Sequence, residues 1–252
     1  MLPIDAPALP WWPLLTRLGE AQILLPAAAL AVLALLRQPQ SRAMAVRWLS
    51  ALAVAALLTT ASKLAFIGWG LGWPSLNFTG VSGHALFAAA VYPLLLGTLA
   101  PRTPRLLPAL ALALGALLAG LVGWSRLAVQ AHTLSEVVAG LALGAAVGAV
   151  ALGRLRLPPL RFSPWVAVTA AVWLFITPTQ APPSQGHALV TRLALTLSGR
   201  ALPYTRADLR RPVPPKSAQG PGLQSAGAPS AISFTPSTVV IGPLPLKRSS
   251  AR

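Results

Sequence analysis

Long apolar runs separated by short basic connections dominate the hydrophobic pattern of this chain. The runs lie at about residues 21–36, 48–68, 84–100, 106–124, 134–153 and 164–178. A helix needs about 20 apolar residues to cross a hydrocarbon core about 30 Å thick, and the sixth run is short by that measure. The pattern predicts an all-α integral membrane protein, a helical bundle of about six transmembrane helices.

The segments outside these runs have a different composition. Residues 1–20 are rich in proline and contain Trp11 and Trp12, a composition typical of a segment at the membrane interface. Leucines recur every four residues from position 189 to 197, which predicts an amphipathic surface helix in the segment 179–202. The following residues, 203–252, are rich in Pro, Ser, Gly and Ala and predict a disordered basic tail. The membrane domain itself is expected at 21–178.

Composition and charge narrow the class of protein. Hydrophobic residues make up 55% of the chain and charged residues 10%, too little charge for a water-facing surface. The net charge of +16 does not indicate nucleic-acid binding, because the arginines are not gathered on one amphipathic face. They lie between the apolar runs instead. We therefore expect no nucleic-acid partner, and the sequence identifies no protein partner.

The distribution of arginines also predicts an orientation. The connections after the first, third and fifth runs contain eight arginines, whereas the other connections contain little positive charge beyond the candidate site residues. Basic loops are retained in the cytoplasm. This places the protein in the cell (inner) membrane as a multi-pass protein, with its polar site at the outer, periplasmic face.

A histidine and a carboxylate form the first candidate pair. His132 and Glu136 are four residues apart, so they share a face if both lie on one helix. A carboxylate that accepts from one imidazole nitrogen fixes the tautomer and leaves the other nitrogen as a nucleophile or base. The alternative is a purely structural pair in which the two side chains satisfy each other.

Arg126 and Ser125 precede this pair, in the connection after the fourth run. A guanidinium offers a fork of donors that matches phosphate oxygens. The alternative for Arg126 is snorkelling to lipid headgroups, and for Ser125 a capping role.

A second polar stretch begins the third run. The backbone N–H groups at the helix start that Ser82 and Gly83 would form provide a cradle for an anion, and His84 could protonate a leaving alkoxide. An ordinary capped helix start is the alternative. Lys63, near the end of the second run, either binds phosphate or snorkels to the interface.

Taken together, these residues supply what phosphate-ester hydrolysis requires: cations, a nucleophile, an orienting carboxylate and an acid. The chain has no cysteine and only four acidic residues, so the sequence indicates neither a metal site nor a cofactor. A metal-independent route through a phosphohistidine fits this inventory best.

The same residues resemble the type-2 phosphatidic acid phosphatase superfamily, to which vanadium haloperoxidases are related. Its motifs are K-x6-R-P, P-S-G-H and S-R-x5-H-x3-D. The second stands here as Val81-Ser82-Gly83-His84 and the third as Ser125-Arg126-x5-His132-x3-Glu136. The first keeps Lys63 but has Gly70 and Leu71 where the family has Arg and Pro.

The resemblance implies a role for each matching residue. His132 would attack phosphorus, His84 would protonate the leaving group, and Glu136 would take the place of the family's aspartate. The phosphate would be held by the remaining motif residues: Lys63, Ser82, Gly83, Ser125 and Arg126.

The sequence therefore predicts a membrane phosphatase that hydrolyses a lipid phosphate or diphosphate, such as phosphatidic acid, phosphatidylglycerol phosphate or a polyprenyl diphosphate. Two alternatives remain open. One is a non-catalytic membrane protein that keeps the fold and binds lipid headgroups, suggested by the incomplete first motif. The other is a phosphotransferase that moves the phosphoryl group to another lipid or a sugar.

Overall fold

The computed structural model describes residues 11–100, 106–153, 172–173 and 185–210. These residues form helices and their connections, with no strand apart from an isolated bridge between Trp73 and Phe78. The helices are α1 (Trp12–Arg17), α2 (Ala21–Leu36), α3 (Arg42–Trp69), α4 (Gly83–Leu99), α5 (Leu107–Ala128), α6 (Leu134–Leu152), α7 (Gly186–Ser198) and α8 (Arg206–Leu209). The predicted all-α class is confirmed for this part of the chain.

Among the described residues, three helices are long and apolar enough to cross a membrane: α3 with the short turn before it (Pro39–Trp69), α5 and α6. The apolar helices α2 and α4 have 16 and 17 residues and are shorter than a typical span. The predicted sixth run, about 164–178, lies outside the described residues except for 172–173. The count of six transmembrane helices therefore stays a prediction.

Local sequence explains where the helices that carry the candidate site begin and end. α3 ends at Gly70, whose φ of 71° is the left-handed conformation that glycine adopts without strain. Ser82, in extended conformation, is the N-cap of α4. α6 begins with a capping box in which Thr133 and Glu136 each bond to the other's backbone N–H.

Two predicted boundaries need correction. α3 begins at Arg42, earlier than the predicted start near 48. α5 continues to Ala128, so Arg126 lies in its last turn and not in the following connection. Arg, Leu and Ala are good helix formers, and no Gly or Pro follows Trp124 until the loop at 129–133 ends the helix.

Helix α4 occupies the centre of the bundle and packs against α2, α3, α5 and α6. Two glycines of α6 allow it to approach α4 closely. A Cβ atom added to Gly140 would lie 2.5 Å from the carbonyl oxygen of Ser82, and one added to Gly144 would lie 2.5 Å from that of Leu86. Spacing of small residues by four is a common basis of helix packing in membranes. The outward faces of α3 and α5 remain apolar, with exposed leucines suited to lipid contact: Leu57, Leu58, Leu110, Leu114 and Leu117.

The segment 185–210 packs against the end of α3. Ala194 and Leu209 form a small buried cluster with Phe66 and Ile67. The amide of Tyr204 donates to the carbonyl of Ile67 at 2.9 Å. The prediction that disorder begins at 203 is thus wrong for residues 203–210, because Leu209 and the Tyr204 backbone find partners on α3 that composition does not reveal. The remainder of the predicted tail lies outside the described residues.

Candidate active site

His132 and Glu136 meet at the start of α6. The Nδ1 atom of His132 lies 2.7 Å from Oε2 of Glu136. His132 is in the connection before the helix, and its backbone amide and that of Ala131 donate to the carbonyl of Arg126 at 3.3 and 3.1 Å. A proton on Nδ1, shared with the carboxylate, leaves Nε2 of the neutral ring with a lone pair. The predicted contact between the two side chains is therefore present.

The Glu136 carboxylate is completely buried and accepts several further hydrogen bonds. Oε1 accepts from the amide and the hydroxyl of Thr79 at 2.8 and 2.6 Å. Oε2 accepts from the amide of Thr133 at 3.2 Å. Nη2 of Arg206 donates to both oxygens, at 2.9 and 3.0 Å. A buried charge needs such partners, and these fix the carboxylate in the orientation that faces His132.

Burial lowers the pKa of His132 below that of a free imidazole. The hydrogen bond and the negative charge of Glu136 oppose this effect, and the positive charges of Lys63 and Arg126 add to it. The net effect is a lowered pKa, which favours the neutral imidazole. A neutral ring with its Nδ1 proton directed at a carboxylate has the protonation state of a nucleophile.

Lys63 lies beside the loop that leads into α4. Its ammonium nitrogen is 3.8 Å from the position that a Cβ on Gly83 would occupy, and its side chain packs against Gly80. The neighbouring Ser62 accepts a hydrogen bond from the amide of Val81 at 3.1 Å. These contacts join the end of α3 to the loop, and they place a cation next to the first turn of α4.

Ser82 links the two motifs through its backbone. Its amide donates to the main-chain carbonyl of Glu136 at 3.1 Å. Its side chain is completely buried, and the hydroxyl has no hydrogen-bond partner among the described residues. A buried, unpaired hydroxyl at a helix start beside Lys63 is a donor available to an anion.

His84 follows in the first turn of α4. Lys63, Arg126 and His132 all act on it electrostatically, so the two predicted catalytic histidines belong to the same cluster of side chains. Gly19 packs directly on it, since an added Cβ there would stand 2.9 Å from the Cβ of His84. The N-terminal segment thus covers one side of the site.

Arg126 is held by the same N-terminal segment. Its Nη1 donates to the hydroxyl of Thr16 at 2.7 Å, and its Nε is buried without a hydrogen-bond partner in the part of the chain described. The carboxylate of Glu20 acts on it electrostatically. The Nη1 atom of the guanidinium is therefore held in place by Thr16, whereas the Nε–H group has no partner among the described residues.

The hydroxyl of Ser125 is directed back into its own helix. This hydroxyl is completely buried and donates to the carbonyl of Val122 at 2.6 Å. A hydroxyl has one proton, so in this conformation Ser125 has none left to donate to a phosphate. Helical position explains this contact, because a serine readily bonds back to the preceding turn.

Three contributors were missed by the sequence analysis: Thr16, Thr79 and Arg206. Each is far along the chain from the side chain it holds, and none lies in a recognisable pattern. Arg206 fell within the predicted disordered tail.

The described residues contain no group of three or more His, Asp or Glu side chains placed to hold a metal ion. The site instead brings together two cations, two imidazoles and one oriented carboxylate. Such an arrangement can bind a tetrahedral anion and offer it a nucleophile and a proton donor.

Comparison with known proteins gives one informative relative. A protein from Klebsiella pneumoniae described as an "Uncharacterized 22.5 kDa protein in cps region" is 35% identical over 207 residues, which cover 79% of this chain and 98% of the relative. No solved structure matches the chain. The model of the PAP2 superfamily matches residues 64–156, which contain every candidate site residue named from the sequence except Lys63, one position earlier. The resemblance seen in the motifs is thereby confirmed, and this chain belongs to the PAP2 superfamily of phosphatases.

Proposed function

We propose that the protein hydrolyses a lipid phosphate or diphosphate at the outer face of the inner membrane, through a covalent phosphohistidine on His132. Family membership supports a phosphatase acting on phosphate esters. The observation that carries the mechanism is the 2.7 Å contact between His132 Nδ1 and Glu136, which leaves Nε2 free to attack. A lipid substrate is supported by the apolar helices around the site.

The proposed reaction has two steps. Nε2 of His132 attacks phosphorus as the bond to the leaving oxygen breaks, and protonated His84 gives its proton to that oxygen. Neutral His84 then takes a proton from water, whose oxygen attacks the phosphohistidine and releases phosphate. Each histidine ends in its starting state, so the cycle closes without a cofactor.

The cations have a separate task in this scheme. Lys63, Arg126, the hydroxyl of Ser82 and the N–H groups at the start of α4 would hold the phosphoryl oxygens, on which negative charge develops during transfer. The charge of the bound phosphate also favours the protonated form of His84, which the first step requires. Glu136 keeps the His132 ring in one tautomer.

The orientation rests on the arginine-rich connections, whose cytoplasmic placement would put the site at the periplasmic face. The substrate would then enter from the outer leaflet. The substrate class includes phosphatidic acid, phosphatidylglycerol phosphate and polyprenyl diphosphates.

The test is phosphate release by the purified protein in detergent, with a chelator present, from those three lipids. We expect turnover of at least one, loss of turnover in His132→Ala, and unchanged turnover in the matched control His187→Ala, which removes an exposed histidine of α7. Radiolabelled substrate should leave an acid-labile, base-stable label on the wild-type protein and none on His132→Ala. Full activity of His132→Ala would refute the mechanism, and label on an added lipid or sugar acceptor would identify a phosphotransferase.

One observation favours the second candidate, a headgroup-binding protein without catalysis. The position of the first-motif arginine is taken by Gly70, in left-handed conformation, and a Cβ there would lie 3.1 Å from the ring of Tyr204. An arginine does not fit at this point, and the phosphate loses one charge-assisted contact. Lipid binding that is the same in wild type, His84→Ala and His132→Ala, without phosphate release, would favour this candidate.

A further inference from the structure

We propose that the segment 200–210 completes the active site, with Arg206 as a positioning residue that holds Glu136 and limits how strongly this carboxylate draws a proton onto His132. The inference rests on the proposed role of His132 as the nucleophile. The segment 200–210 lies after residues 64–156, which match the family model, and the inference gives it a role in the reaction of that matched part.

The guanidinium of Arg206 makes four hydrogen bonds at the site. Nη2 donates to both oxygens of Glu136, at 2.9 and 3.0 Å, and to the hydroxyl of Thr79 at 3.1 Å. Nη1 donates to the carbonyl of Asn77 at 2.7 Å. The arginine side chain is 30% exposed and the Glu136 side chain is 0% exposed, so Arg206 closes the carboxylate off from solvent.

The segment that carries Arg206 has its own anchors. Its short helix α8 begins with a capping box between Thr205 and Asp208, and Leu209 is buried against α3. The Arg200 guanidinium stacks 4.0 Å above the Tyr204 ring, and the Tyr204 amide bonds to α3. These contacts fix the position of Arg206 without using its guanidinium, which is then available for the carboxylate.

The electrostatic consequence concerns the protonation of His132. Glu136 is the one carboxylate that touches its ring among the described residues, and it favours the imidazolium. The groups that face His132 from the other helices are Lys63 of α3, His84 of α4 and Arg126 of α5, and the two cations disfavour the imidazolium. Arg206 donates to both oxygens of this carboxylate, including the Oε2 atom that contacts His132. By sharing the negative charge of Glu136, it keeps the ring neutral and its Nε2 lone pair available.

This arrangement predicts a specific effect of removing the guanidinium. In Arg206→Met, Glu136 loses its counter-charge and interacts more strongly with His132, so the titration midpoint of the ring rises. The midpoint is measured by NMR of the isotope-labelled imidazoles, of which the chain has three. We expect an upward shift of about half a pH unit or more, and a parallel upward shift of the acid limb of kcat/KM.

The matched control is Arg192→Met, which removes an exposed guanidinium of α7, outside the segment 200–210. It should leave the His132 midpoint and the acid limb in place. Arg206→Lys keeps the charge but not the fork, and should give a smaller upward shift. If Arg206→Met does not fold, Arg206→Gln, which also removes the charge, provides the same test.

A folded Arg206→Met or Arg206→Gln variant that has the wild-type His132 midpoint would overturn the inference. The NMR titration needs no turnover, so it remains decisive if none of the lipid substrates is hydrolysed. Conversely, a shifted midpoint with no phosphate release would support the coupling of Arg206 to His132 and contradict the proposed hydrolysis.

Discussion

The backbone amide of Ser82 donates a hydrogen bond of 3.1 Å to the main-chain carbonyl oxygen of Glu136. This single bond joins the start of α4 to the first turn of α6, and therefore joins the two motifs that carry the proposed acid and the proposed nucleophile. It requires the helix backbones to lie very close together. Gly140, one turn along α6 from Glu136, makes this approach possible because its missing Cβ leaves room for the Ser82 carbonyl.

A methyl group at this contact should separate the two motifs. We expect Gly140→Ala and Gly144→Ala each to lower the stability of the protein by about 1–3 kcal/mol through overpacking, and Gly140→Ala also to reduce turnover. Thermal unfolding in detergent measures the first effect. The control is Gly148→Ala in the same helix, where an added Cβ meets nothing within 4 Å. Equal melting temperatures for all three variants would contradict the argument.

The two motif serines should behave differently. Ser82→Ala removes a buried hydroxyl that has no partner among the described residues and is available to a phosphate, whereas the hydroxyl of Ser125 already donates to Val122. Loss of a hydrogen bond to a charged group corresponds to about 1.5–3 kcal/mol. We expect kcat/KM to fall roughly tenfold or more for Ser82→Ala and by less than about threefold for Ser125→Ala. Steady-state kinetics of the two variants test this expectation. A larger loss of kcat/KM for Ser125→Ala than for Ser82→Ala would assign the phosphate contact to Ser125.

The pH dependence follows from the direction of the His132 pKa shift. Because burial and the nearby cations lower this pKa, the ring stays neutral as the pH falls below about 6.5, the usual value. The acid limb that His132 contributes to kcat/KM should therefore lie below that pH. A phosphate monoester itself ionises near pH 6, so NMR titration of the His132 ring is the control. A midpoint at or above the usual value would show that the Glu136 charge outweighs burial.

The charge of Glu136 can be tested separately from its shape. Glu136→Gln retains a side chain of the same length but no negative charge, so the tautomer of His132 is no longer fixed and the developing imidazolium loses its partner. We expect kcat to fall by about 10²–10⁴-fold. Glu136→Asp, the residue usual in the family's motif, should retain more activity than Glu136→Gln. The reverse order would mean that the length of the side chain matters more than its charge.

Thr16 should influence binding more than chemistry. Its hydroxyl holds one end of the Arg126 fork, and Thr16→Val removes that contact while preserving the shape of the side chain. We expect KM to rise several-fold, up to roughly tenfold, with kcat nearly unchanged. Thr196→Val is the control, since that hydroxyl donates within its own exposed helix. A fall in kcat at constant KM would contradict this expectation and would mean that Arg126 contacts the phosphate only in the transition state.

The position of most helices could be predicted from the sequence. The five apolar runs from 21 to 153 correspond to α2 through α6, because burial and lipid exposure both demand continuous apolar character. The His132–Glu136 contact was also predicted from the spacing of four, on the premise of a shared helix. His132 lies instead in the connection before α6, and the capping turn at Thr133 brings the two side chains together. The sequence was a less reliable guide to Ser125, because its hydroxyl could donate either to a phosphate or to a carbonyl of the preceding turn, and in the structure it donates to Val122.

The sequence by itself predicted the all-α class, the order of the apolar helices and the two motifs that contain the proposed nucleophile, the proposed acid and the proposed orienting carboxylate. The tertiary structure decided what holds them. Thr16 reaches Arg126 across 110 positions, and Arg206 reaches Glu136 across 70. Such contacts depend on how α1 and the segment 200–210 pack against the bundle, and packing follows from the shapes of distant surfaces, which no local pattern of residues records.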